Sequence, residues 1–137
     1  MIKQVWLNLP VKDIQQSKQF FTDLGFSFAQ YGNSSTSVGL VIGASNTVVM
    51  LFAEPVFESF THQPNADTRQ CSEILISFDA ESKEEVDEMA ARVKKAGGVV
   101  FAKPSEIQGW MYGCGFTDLD GHRWNMLYMD SSKMPGS

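Results

Sequence analysis

The feature that most constrains this chain is a pattern written twice. A strand, a helix and three more strands occupy the first half, and the same order returns in the second. In the first half KQVWLNLPV alternates, with Val5, Leu7 and Leu9 on one side and Trp6 and Asn8 on the other. Asp13 opens a helix whose buried stripe is Ile14, Ser17, Phe20, Phe21 and Leu24, and Gly25 stands where a helix stop needs it. FSFAQYG, TSVGLVIG and NTVVMLFAE follow as strands between Gly, Ser and Asn turns. In the second half SEILISFDA sets Ile74, Ile76 and Phe78 against Glu73, Leu75 and Ser77. Ser82 caps the next helix with Glu85 at the capping-box position. That helix carries Val86, Met89, Ala90 and Val93 and stops at Ala96-Gly97-Gly98, before VVFAKP, GWMYGCGFTD and HRWNMLYMD.

The reading is α+β: two βαβββ modules, 1–54 and 72–130, within one domain spanning 1–131. The segment PVFESFTHQPNADTRQC, with its Pro, Asn and Asp signals, reads as an irregular linker or covering loop over 55–71. Residues 132–137 read as a disordered tail. Each module has one helix to cover one sheet face. The other face must bind something, pack on another chain or meet water.

Composition narrows the partners. The chain has 137 residues, 43% hydrophobic and 20% charged, ordinary values for a globular protein. Its net charge of −5 and pI of about 4.9 disfavour nucleic acid, because an acidic surface repels phosphate. No apolar run reaches roughly 18 residues, so no spanning helix is expected. The start is not a secretory signal. Cys71 and Cys114 form neither a metal spacing nor a disulfide framework, and they read as reduced, partly buried thiols of a cytoplasmic protein. A Cys-His nucleophilic pair with His62 or His122 has no support in the local sequence, and His122 reads as a partly exposed turn residue.

Side-chain parity assigns faces in some strands and not in others. In the last strand Trp124, Met126 and Tyr128 alternate with Asn125, Leu127 and Met129, and both sets are largely apolar. In NTVVMLFAE the choice between Val49, Leu51, Ala53 and Met50, Phe52, Glu54 is equally open.

Two motifs resolve more. VKDIQQSKQFFTDLGF resembles the first helix of the vicinal oxygen chelate superfamily, the glyoxalase, bleomycin-resistance and extradiol-dioxygenase group. FTDLDGHRWNMLYMD resembles that family's closing motif. The resemblance spans essentially the whole chain. It implies modules whose mixed sheets curl into a cup, with four metal ligands in the metal-dependent members, usually His or Gln, Glu, His and Glu. Carried over, those positions fall on Trp6 (with Asn8 beside it), Met50, Glu73 and Asn125, and the motif alignment points Asn125 into the cup. Trp has no donor, a thioether suits soft metals, and Asn lacks the charge of Glu. No metal and no cofactor are therefore expected. Glu73 is left as a weak candidate base, or as a rim residue paired with a polar neighbour.

What the resemblance then implies is a ligand-binding cup lined by Trp6, Asn8, Met50, Phe52, Glu73, Trp110, Tyr112 and Asn125. The expected function is a metal-free small-molecule-binding protein. The alternatives are a lactoylglutathione-lyase-like or dioxygenase-like enzyme and a non-catalytic homodimeric partner or regulatory module. The expected partners are an unidentified small molecule, with aromatic compounds as candidates, and a second copy of the chain, with neither nucleic acid nor membrane. The same aromatic residues could equally be core or dimer contacts.

Overall fold

Helix α1 (Ile14–Asp23) begins where Asp13 accepts the Gln16 amide through its side chain, and it buries Ile14, Ser17, Phe20 and Phe21. The computed structural model describes residues 1–136. It divides into two units, Met1–Asp67 and a second beginning at Thr68.

In the first unit β1 (Trp6–Val11), β2 (Ser27–Phe28), β3 (Ser37–Ile42) and β4 (Thr47–Ala53) form one mixed sheet in the order β1-β4-β3-β2. β1 runs parallel to β4, and the other pairs are antiparallel. Leu9, Val11, Val38, Leu40, Val49 and Leu51 are buried with the stripe of α1 and make the core. Val5, expected on that face, is 73% exposed because the strand starts one residue later, at Trp6.

The second unit repeats the plan. β5 (Leu75–Ala80), α3 (Lys83–Ala96), β6 (Val99–Ile107), β7 (Met111–Thr117) and β8 (Arg123–Met129) form a sheet in the order β5-β8-β7-β6. Again the first strand is parallel to the last. Ser82 accepts the Glu85 amide, and Gly97 ends α3 at φ 99°, a left-handed conformation that glycine adopts without Cβ strain. Val86, Met89, Ala90 and Val93 of α3 are buried with Cys114, Phe116, Trp124 and Met126.

Two segments depart from the sequence reading. Residues 54–61 are helical: α2 (Glu54–Thr61) starts with Pro55 in its first turn, a position helices favour, and ends at His62 in the left-handed conformation. α2 packs on β1 and β4 within the first unit, where the Phe60 ring meets Phe52 edge-on at 5.1 Å. Residues 131–133 form a 3₁₀ turn capped by Asp130, so the expected disordered tail begins with local structure. The Ser132 hydroxyl donates to Asp130 and holds its carboxyl below the ordinary range. Ser137, the last residue of that tail, lies outside the described residues.

Candidate functional site

On the first sheet the face away from α1 carries Trp6, Asn8 and Pro10 of β1, Val48, Met50 and Phe52 of β4, and Gly39 of β3. This settles the parity of β4: Val49 and Leu51 are core, while Met50 and Phe52 face outward. Asn8, Met50 and Gly39 form one cross-strand row. A Cβ on Gly39 would stand 2.9 Å from the Met50 sulfur, so the glycine leaves the place that the thioether fills. Trp6 is 55% exposed. It borders an open concavity of about 850 Å³ together with Lys3, Gln4, Asn46, Val48 and Met50.

On the second sheet the face away from α3 carries Leu75, Ser77 and Asp79 of β5, Arg123, Asn125 and Leu127 of β8, and Gly113 and Gly115 of β7. Ser77, Asn125 and Gly115 form one row, and Leu75, Arg123 and Thr117 the next. Asn125 therefore points away from buried Trp124 and Met126. Its side-chain oxygen is enclosed and has no hydrogen-bond partner. The Phe101 ring covers Gly115, where an added Cβ would fall 2.5 Å from it, and the Arg123 guanidinium lies 4.3 Å from the centre of that ring.

The turn before β8 sets the position of both residues. Asp118, only 4% exposed, accepts the Asp120 and His122 amides on Oδ1 at 2.9 and 3.0 Å. Its Oδ2 accepts the Trp124 indole N–H at 3.1 Å. Burial pushes this carboxyl up, against the His122 charge and the Trp124 hydrogen bond, which pull it down. Gly121 sits at φ 85° against Thr68, whose hydroxyl donates to the Asp120 carbonyl and ties the start of the second unit to the turn.

Several expected site residues stand elsewhere. Tyr112 lies on the helix-covered face, because its parity in β7 matches Cys114 and Phe116. Its hydroxyl donates to Asp87 of α3 at 2.7 Å, which raises its pKa. Trp110 is in the β6–β7 turn, not in a strand; Gln108 and Gly109 have positive φ, and the Trp110 carbonyl accepts the Asp130 amide. Its enclosed indole N–H has no partner. Glu73 is exposed and precedes β5. The duplicated register explains this displacement. Trp6 is two residues before Asn8, the partner of Met50, and Leu75 is two residues before Ser77, the partner of Asn125. The second-unit counterpart of Trp6 is thus Leu75. Glu73 is four residues from Ser77, up to about 13 Å along an extended chain. His122 is buried at 7% exposure instead of partly exposed, and Cys71 is exposed while Cys114 is buried.

Arg123 and Phe101 were not visible as site residues. Arg123 shares the parity of Asn125, a signal that the sequence contained. Phe101 could not be assigned, because β6 breaks register on both sides of Ala102.

Known proteins place this geometry. The model of the Glyoxalase/Bleomycin resistance protein/Dioxygenase superfamily matches residues 3–126. Among solved structures, the hypothetical protein SA1046 of S. aureus is 38% identical, with a TM-score of 0.83, over 93% of this chain and 94% of that one. A family enzyme from Burkholderia phytofirmans PsJN is 19% identical at TM-score 0.77, covering 90% and 96%. The fosfomycin resistance protein FosX of Listeria monocytogenes is 20% identical at TM-score 0.68, covering 96% and 98%. No curated protein matches the sequence. The family match over most of the chain, joined to a βαβββ unit built twice in the same strand order, shows that the chain belongs to the glyoxalase/bleomycin resistance protein/dioxygenase superfamily.

Proposed function

We propose that this protein binds a small organic molecule without a metal, on open sheet faces that present aromatic and amide groups. One observation carries the reading: the donor chemistry of the family's ligand positions. The resemblance puts them on Trp6, Met50, Glu73 and Asn125, and the duplicated register sets Leu75, which has no donor atom, in place of Glu73. One thioether and one neutral amide do not fit the oxygen and nitrogen coordination that a divalent metal of this family needs. Among the described residues no three His, Cys, Asp or Glu side chains come together elsewhere. FosX of Listeria monocytogenes has a structure with Mn(II) and sulfate, and the donor set here argues against the same arrangement.

What remains on the faces suits binding. Trp6, Phe52 and Phe101 supply flat apolar surface, and Asn8, Ser77 and Asn125 supply directing polar groups. A second copy of the chain is the proposed protein partner, since Trp6, Ile74, Leu75 and Met129 leave apolar surface exposed.

The test is a panel of neutral and acidic aromatic compounds, titrated against untagged, chelator-treated protein and followed by tryptophan fluorescence. Saturable quenching that is lost in Trp6→Ala supports the reading. A tightly held stoichiometric metal, or lyase turnover that depends on one, would replace it with the enzyme reading.

A further inference from the structure

We infer that the second unit alone holds a subsite for a small organic acid that also carries a hydrogen-bond donor: its anionic group on Arg123 and its donor on Asn125. The inference rests on the binding reading above and names the ligand class.

Arg123 and Asn125 are two residues apart in β8 and share the open face. Among the described residues Arg123 enters no ion pair; its contact is the Phe101 ring, 4.3 Å away. That ring is seated over Gly115, the neighbour of Asn125 in β7. The stack fixes the plane of the guanidinium and leaves its N–H edge for an acceptor. On a chain with net charge −5, a lone cation set on a half-exposed ring is a specific feature. An unpaired guanidinium in such a place matches a carboxylate through paired, charge-assisted hydrogen bonds.

Asn125 supplies the second point. Its side-chain oxygen is enclosed yet receives no hydrogen bond, whereas enclosed polar atoms are nearly always paired. An acceptor in that state calls for a hydroxyl or amine donor from outside the chain. Ser77, beside it in the row, has a small side chain on the side of the approach, while on the other side the Phe101 ring lies over Gly115 and forms the wall of the subsite. The Cα atoms of two residues on one strand face are about 6.5 Å apart, and para-hydroxybenzoate is a small rigid molecule that carries an anion at one end and a hydroxyl donor at the other.

The probe is therefore para-hydroxybenzoate, followed by the Arg123 Nε–H and Asn125 side-chain amide signals in nitrogen-proton correlation spectra. Saturable shifts of both are expected at low-millimolar probe. Benzoate, which lacks the donor, and para-hydroxybenzyl alcohol, which lacks the anion, should each bind about tenfold more weakly. Arg123→Gln should remove the preference for the acid over the alcohol, and Asn125→Leu the preference for para-hydroxybenzoate over benzoate. Because the ligand series is read on the unaltered protein, a poorly folding variant does not spoil the test. Equal binding of acid and alcohol overturns the subsite while leaving the binding reading in place. Absence of shifts with all three probes overturns the subsite as well, and joined to a failed aromatic panel it removes the binding reading too.

Discussion

Replacing Asp118 with alanine should unfold the chain far more easily than any surface change. The carboxylate accepts three N–H groups, and two of them, from His122 and Trp124, belong to buried residues. Each buried donor left unpaired costs about 1–3 kcal/mol. The third, from Asp120, is partly exposed and can turn to water. Removing a buried carboxyl relieves some desolvation, so the net loss is about 2–4 kcal/mol. For a chain of this length that lowers the melting temperature by roughly 6–15 °C. Thermal unfolding by circular dichroism, with exposed Asp79→Ala as control, measures it; the control should stay within about 0.5 kcal/mol of the unaltered protein. Asp118→Ala falling inside that same small range would refute the claim that this side chain organises the turn.

The pH profile has a definite sign. Burial raises the Asp118 carboxyl above its unfolded value, so the folded state holds its proton more tightly. This contribution to stability is present below the unfolded value and is lost as pH rises through the folded one. The stability of the unaltered protein relative to Asp118→Asn should accordingly fall as pH rises through that interval.

Other consequences are more local. A Cβ at Gly113 would sit 2.8 Å from the Met126 carbonyl, a backbone atom that cannot yield, so Gly113→Ala should cost about 1–3 kcal/mol in urea unfolding. Gly39→Ala meets the Met50 thioether, which can move, and the Ala29 Cβ at 3.2 Å, and should cost less, about 1 kcal/mol. Cys71 is exposed, whereas Cys114 is buried and its thiol is pushed up by that burial, so a disulfide reagent should modify one thiol per native chain and both after denaturation. Tyr112→Phe removes a bond to Asp87 on the helix side and should leave aromatic-ligand affinity unchanged, as a calorimetric titration would show.

Helix stripes and caps were legible because they are local. Ile14 to Leu24 and Val86 to Val93 repeat at helical spacing, and Asp13 and Ser82 cap them as their residue types demand. The strand faces were less legible. β4 and β8 are apolar on both sides, so alternation alone assigns neither Met50 nor Asn125; the motif alignment points Asn125 inward, and the register with β1 and β5 sets both residues on the open face. α2 was missed because Pro55 was read as a breaker, when it stands in a helix's first turn. Trp110 falls outside the strand, which starts at Met111 after a two-residue left-handed turn, and Tyr112 shares the parity of Cys114 and Phe116 on the helix side. Counting along the sequence puts Glu73 at the first position of the second module's site. In the duplicated pairing Leu75 stands where Trp6 stands in the first unit.

Ligand binding that needs no metal is tested by one affinity taken twice. Para-hydroxybenzoate is titrated into untagged protein by calorimetry, first after exhaustive chelation and then with Mn(II) in excess. The same affinity is expected in both. Binding that appears only with the metal would contradict it.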